Sequence, residues 1–297
     1  MDKLQENILK KDFEAILGQE ETKKQLKSAL FMNRHVILLG PPGVGKTTLA
    51  KNVYEFLETK NKELFVRVQG SPDLTAEDLL GDIDPIKAIQ YGPLSKEAFT
   101  KGKIFKANGG ILFFDEINRC SEKLQNALLQ VLEERKITIG SYDVDFDCNF
   151  IFIGTMNPED TSTEPLSDVF LDRFDIISIG YPETLDIEKE IVTSKGKKIV
   201  EFPVNLLDYA VSFIRELRND ERLEKKPSVR ASIGIYERAQ SNALLEKRKT
   251  VILEDIKAVI SSVLAHRIKL KPSVKYLETT DSFIEEEFTK FKKGDYL

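Results

Sequence analysis

Between the apolar run His35 to Leu39 and a stretch with Leu49, Val53, Phe56 and Leu57 on one helical face, the chain reads Gly40-Pro41-Pro42-Gly43-Val44-Gly45-Lys46-Thr47. The spacing GxxxxGK followed by a hydroxyl residue constrains the fold more than any other feature, because it belongs at a strand-to-helix turn. Its glycines let consecutive backbone N–H groups turn into one concavity, and the helix that follows adds positive potential at its N-terminus. Lys46 would neutralise phosphate charge, and Thr47 would offer its hydroxyl to Mg2+. A merely tight turn is the alternative. The strand before the loop and the helix after it favour phosphate binding.

The rest of the chain supplies the sheet that such a turn requires. Apolar runs at Leu64 to Val68, Ile111 to Phe114, Phe150 to Ile153 and Ile176 to Ile179 follow the first, with helical patterns between most of them. Continuous rather than alternating apolar strands indicate an α/β fold, a parallel sheet covered on both faces in three αβα layers. Ser121 is the expected N-cap of a helix carrying Leu124, Ala127, Leu128, Val131 and Leu132. Ile137 to Phe146 reads as a hairpin turning at Gly140-Ser141-Tyr142, and Gly81 to Thr100 fits no βα spacing and reads as an insertion.

Strand signals stop after Tyr181-Pro182. The expected division is therefore a sheet domain over 1–181 and a smaller, all-helical domain with a tail over 182–297, in line with the prior of about 150 residues per domain. Helical patterns run around Ile187 to Val200, Val204 to Leu217, Ser228 to Leu245 and Leu253 to Ile268. The tail carries Phe283, Ile284, Phe288 and Phe291, an apolar face that either packs on the body or binds a partner.

Composition narrows the function classes. Hydrophobic residues at 41% and charged ones at 31% exclude collagen-like, low-complexity and wholly disordered chains. No apolar run approaches the roughly 20 residues of a membrane span, and the polar start lacks a secretory core, so a cytoplasmic location without membrane contact is expected. Cys120 and Cys148 are too few for a disulfide scaffold, and with two His they make no zinc pattern. A net charge of −5 gives no global attraction to nucleic acid, although a local patch remains open.

Ile111-Leu-Phe-Phe-Asp115-Glu116 is an apolar strand ending in two acids. In a parallel sheet its C-terminal end faces the same edge as the glycine loop, so Asp115 can hold Mg2+ through water while Glu116 orients the attacking water. Asn157, after Gly154-Thr155-Met156, reads either as a hydrogen-bond donor to a γ-phosphate or lytic water, or as a turn former before Pro158. By composition alone, Arg119, Arg173 and Arg230 read as surface arginines.

Taken together, these segments resemble the AAA+ ATPases, and within them the MoxR type and the related magnesium chelatase motor subunit. The likeness runs from Ile16-Leu-Gly18-Gln19-Glu20 through GPPGVGKT, ILFFDEINR, GTMNP, LDRF and SVRA to Leu264-Ala-His266-Arg267-Ile. It covers nearly everything but the tail. The resemblance implies ATP and Mg2+ as cofactors, Gly18 and Gln19 on the adenine side, and phosphate contacts from Gly40 through Thr47 and Thr48. It also implies Asn157 as sensor 1, Arg173 as an arginine finger entering a neighbouring subunit, and Arg230 as sensor 2 in a helical lid. Full activity would then need a ring, usually a hexamer, with a protein client and a von Willebrand factor A domain partner. The insertion and the hairpin resemble the family's client-coupling elements. GDIDP points to the chelatase side, DEINR and the lid to MoxR. A chelatase motor, a DNA-linked motor and a nucleotide-binding regulatory scaffold are the other readings.

Overall fold

The computed structural model describes residues 3–57, 64–92, 95–138, 145–158 and 166–293. They form two compact units. The first comprises Met1–Ile16, Glu20–Pro41 and Gly45–Ile179, and the second Leu17–Gln19, Pro42–Val44 and Gly180–Leu297.

The first unit is built on five parallel strands: β1 (Val36–Leu39), β2 (Phe65–Gln69), β3 (Ile111–Asp115), β4 (Ile151–Met156) and β5 (Asp175–Ser178). They lie in the order β2-β3-β4-β1-β5. Every residue of β3 is buried, whereas β2 and β5, at the sheet edges, each bury one. The continuous apolar runs thus sit in the middle of the sheet, where helices cover both faces. Phe114 and Phe152 stack across β3 and β4 at 5.7 Å, and Phe174 packs on Phe152 at 5.2 Å. Beneath them the helix Glu122–Glu134 buries Leu124, Leu128, Val131 and Leu132.

The sequence pattern misplaces some element ends, each for a local reason. β4 continues to Met156, because Gly154 interrupts the apolar run without ending the strand. A Cβ there would lie 3.0 Å from Phe152 Cε1 and 3.3 Å from Ile37 Cγ1, so the strand needs glycine where it packs most tightly. The helix after the glycine loop ends at Asn52 and tightens into a 3₁₀ turn over Val53–Phe56, whose terminal carbonyl accepts from Asn7 Nδ2 at 3.0 Å. Ser121 occupies the N-cap of its helix, but its side chain makes no capping hydrogen bond.

The insertion is a short antiparallel ribbon, Gly81–Ile83 with Phe99–Lys101, that carries the helix Pro85–Tyr91 between its strands. Asp84 caps that helix by accepting from Ile86 N–H at 3.0 Å, Pro85 takes the first helical position, and Gly92 follows the last residue at φ 91°. The expected hairpin is present as Lys136–Thr138 paired with Asp145–Asp147; its turn at Gly140-Ser141-Tyr142 lies outside the described residues.

The second unit is helical: Leu185–Lys195, Val204–Asn219, Val229–Leu245, Leu253–Leu264 and Thr280–Lys293. The expected all-helical character is modified by one small ribbon, Leu223–Lys225 with Lys269–Leu270. Its formation draws the chain out of the helix that the apolar spacing extended to Ile268. The tail packs on this unit. Phe283, Ile284 and Phe288 are buried in the same core as Phe213, whose ring Phe288 meets edge-on at 5.2 Å, and Arg222 lies 4.7 Å over the Phe283 ring while pairing with Glu287 at 2.9 Å. Among the described residues no helix is long and apolar enough to cross a membrane.

Candidate functional site

The parallel sheet brings the ends of β1, β3 and β4 to one edge, with β4 between the other two. This is a switch point of the sheet, since β1 leads to β2 past two intervening strands. Gly40 leaves β1 so close to Ile179 that a Cβ would fall 2.1 Å from its carbonyl oxygen. Gly45, at φ 101°, opens the helix Lys46–Asn52 from the left-handed region. The Lys46 ammonium donates back to its own loop, to the carbonyls of Gly40 and of Pro41, the latter at 2.9 Å.

Asp115 ends β3, with its side chain 12% exposed. A carboxylate so nearly buried requires hydrogen-bond partners. Thr155 of β4, fully buried, donates its hydroxyl to Asp115 Oδ1 at 2.7 Å and accepts the Glu116 N–H at 2.9 Å. Arg67 of β2 donates to Asp115 Oδ2 at 2.7 Å. Thr47 Oγ1 stands 3.5 Å from each carboxylate oxygen. A hydroxyl and a carboxylate converging in this way form the hard oxygen donor set that suits Mg2+, so the residues present fit that ion.

Glu116 has a left-handed backbone, φ 58° and ψ 52°, a conformation costing a non-glycine residue about 1 kcal/mol or more. Gly70 makes it possible: its N–H donates to Asp115 O at 2.7 Å, and a Cβ on it would fall 2.1 Å from Glu116 O. The Glu116 carboxylate receives Gln69 Nε2 at 3.0 Å and Arg119 Nη1 at 3.3 Å. Asn157 follows β4 at the same edge, half-buried, and its carbonyl accepts from Asn118 Nδ2 at 3.5 Å. Arg173 does not join this group. Its guanidinium bonds Glu133 at 2.8 Å and the Val169 carbonyl, leaving Nε buried with no hydrogen-bond partner among the described residues.

Thr48 lies exposed in the helix Lys46–Asn52 of the first unit, and the second unit holds the remaining sequence-derived residues. Gly18 and Gln19 both have positive φ, 65° and 61°. The Gln19 N–H donates to Glu183 Oε1 at 2.9 Å, and its side-chain amide to Gly180 O at 3.1 Å. Pro42, Gly43 and Val44 cluster with this unit, where a Cβ on Gly43 would meet Ser228 Oγ at 2.7 Å and Arg230 Cγ at 3.3 Å. Arg230 and Arg267 are close enough to repel: burial first, then Arg230, holds the Arg267 guanidinium below its ordinary pKa. In the same unit, buried Glu188 is gripped by Arg218 through two bonds of 2.6 Å and by Ser232 at 2.7 Å.

Cys120 and Cys148 are buried free thiols, each pushed up to about 11 by desolvation, which leaves neither as a nucleophile near neutrality. Sequence reasoning missed Arg67, Gln69 and Thr155. The available signals were a cation inside the strand FVRVQ and the period of two that puts Thr155 and Asn157 on one face of the chain.

Residues 35–174 match a family model described as "AAA domain (dynein-related subfamily)", and residues 215–287 one described as "AAA lid domain". The chain is 31% identical over 274 residues to the protein YeaC of Bacillus subtilis (strain 168), covering 84% of this chain and 82% of that one. It is 31% identical over 287 residues to "Chaperone MoxR1" of Mycobacterium tuberculosis (strain ATCC 25618 / H37Rv), covering 86% and 73%. Among solved structures, a Thermotoga maritima RuvB mutant aligns with a TM-score of 0.56 at 24% identity, over 86% of this chain and 73% of that one, a likeness of fold.

Proposed function

The chain belongs to the AAA+ ATPases of the MoxR type, and from that premise we propose that it binds ATP with Mg2+ and hydrolyses it to remodel or mature a protein client. The loop from Gly40 to Thr48 cradles the phosphates, with Gly18 and Gln19 on the adenine side. Lys46 exchanges its two loop carbonyls for phosphate oxygens. Thr47 and Asp115 would hold the ion, Asp115 partly through water, and the bound ion would neutralise phosphate charge. Glu116 takes the proton of the attacking water as the new O–P bond forms and the bond to the β-phosphate oxygen breaks, ADP leaving with that electron pair. Asn157 orients the γ-phosphate or the water.

Arg173 and Arg230 supply positive charge to the developing oxyanions, Arg173 from a neighbouring subunit after leaving Glu133. Assembly into a ring, a hexamer in this reading, is thus part of the activity, and isolated subunits turn over slowly. The chaperone name of the Mycobacterium relative supports a protein client. A von Willebrand factor A domain partner rests on the family resemblance alone.

One observation carries this reading: Thr155 fixes the Asp115–Glu116 pair beside the Thr47 hydroxyl. Glu116→Gln is expected to keep ATP binding and lose steady-state phosphate release by about 100-fold or more. Turnover at the wild-type rate would remove Glu116 from the mechanism. Proteins recovered from cells with this trapped variant identify the client. Chelatase subunits among them, or hydrolysis stimulated by DNA, would redirect the assignment to a chelatase motor or a DNA-linked motor.

A further inference from the structure

The site at the sheet edge contains a positive charge that the loop and the acidic pair do not explain. Arg67 lies on β2, in register with Phe113 of β3, and Gln69 two residues on is in register with Asp115. The Arg67 Nη2 covers Asp115 Oδ2 at 2.7 Å, while Thr155 occupies Oδ1 at 2.7 Å. Arg67 is 47% exposed against 12% for Asp115. The guanidinium therefore reaches a nearly buried carboxylate from the solvent side, and nothing in its burial prevents its withdrawal.

We propose that Arg67 is the counter-ion of Asp115 when no divalent cation is bound, and that it competes with that cation for the same carboxylate. A largely buried carboxylate is costly without an opposite charge, and left bare it would repel an incoming polyphosphate. Arg67 removes both penalties. The cation, binding at Thr47 and Asp115, substitutes one positive charge for another. Arg67 thus lets nucleotide enter before the metal and weakens the coupling between the two. This inference rests on the reading of Asp115 as a Mg2+-holding residue.

The test is binding of a fluorescent ATP analogue to the full chain, titrated with Mg2+ and repeated in EDTA, for wild type, Arg67→Gln and Arg67→Lys. Mn2+ binding followed by electron paramagnetic resonance gives a second, nucleotide-independent readout. Arg67→Gln is expected to lower the half-saturating Mg2+ and Mn2+ concentrations by about three- to tenfold, the range of a half-exposed, charge-assisted pair, and to weaken binding in EDTA. Arg67→Lys keeps the charge without the planar fork and shifts both quantities the same way by less, which preserves the test should the glutamine variant fold poorly. Unchanged or raised half-saturation overturns the proposal and makes Arg67 a fixed strut for Asp115. If the wild-type chain bound no nucleotide but Arg67→Gln still lowered the half-saturating Mn2+ concentration, the ATP reading would fall and the competition would stand.

Discussion

Two buried carboxylates, Asp115 in the first unit and Glu188 in the second, meet the same physical demand in different ways. Glu188 is fully buried and saturated: Arg218 binds both its oxygens, Ser232 adds a third short bond, and Arg215 stands 3.3 Å away. Arg218 is itself immobilised, 6% exposed, with Nε on the Pro227 carbonyl at 2.8 Å and its guanidinium 4.5 Å over the Tyr181 ring. Asp115 has one fixed partner, Thr155, a half-exposed cation, Arg67, and a hydroxyl held at the limit of hydrogen bonding. A closed set of partners fixes helices; an open set leaves a place for a ligand. What separates a structural carboxylate from a binding one here is the exposure of its counter-charge.

Glu188→Ala breaks the closed cluster and should have the largest effect. It leaves Arg218 buried without a counter-charge, which costs about 3–5 kcal/mol in such cases. The expected result is a large fall in the melting temperature of the second unit, with Asp115 and its neighbours unaffected. An exposed-pair value, below about 1 kcal/mol, would show that water reaches Glu188 and that the contrast with Asp115 is not real. Thr155→Val comes next. The substitution is nearly isosteric but removes the donor to Asp115 Oδ1 and the acceptor for Glu116 N–H. Two groups left unsatisfied at ~1–3 kcal/mol each would sum to about 2–6 kcal/mol, and Arg67, still paired with Asp115, holds the loss in the lower half of that range. Phosphate release should fall with it, because the carboxylates no longer share one fixed hydroxyl. A stability loss without any change in turnover would show that Thr155 supports only the sheet.

How much of this was legible in the sequence follows from how local each signal is. The glycine loop, the acidic pair and the five strands are written in consecutive residues, and all five strands form within a few positions of their apolar runs. Arg67 and Thr155 meet Asp115 across 48 and 40 residues, through strands whose adjacency depends on the order β2-β3-β4. A linear pattern holds no record of that order. The 44 basic residues look alike in a sequence, so neither the pairing of Arg173 with Glu133 nor that of Arg218 with Glu188 was readable. The tail was half legible: its apolar spacing announced a buried face, but only the packing of Phe288 on Phe213 says what it covers.

The smallest expected effect separates the two units by pH. His35 precedes β1 and accepts the Phe152 N–H on Nδ1 at 3.1 Å, which requires a neutral ring. Burial, then the positive charges of Arg135 and Arg34, lowers its pKa from 6.5 to about 4, against a smaller opposing hydrogen bond to Leu132. A folded pKa below the unfolded one means that the unfolded chain binds the proton more readily. Stability from this group is therefore complete above about pH 6.5 and lost progressively as pH falls toward 4, a loss of about 2 kcal/mol at pH 5. The second unit behaves otherwise. Burial raises the Asp255 carboxyl, but bonds from Arg248, the Ile252 N–H and Asn242 outweigh it and leave the pKa below its ordinary value of 3.8. That contribution is present above pH 3.8 and disappears only as pH falls through the lowered value. Between pH 7 and 5, amides of β1 and β4 should accordingly lose protection in hydrogen exchange, referenced to the intrinsic rate at each pH, while those of Leu253–Leu264 keep theirs. His35→Asn retains an acceptor for Phe152 N–H but does not titrate, so it should flatten the pH dependence even if it lowers stability at pH 7. An unchanged slope in that variant would place the acid sensitivity of the first unit in its carboxylates instead.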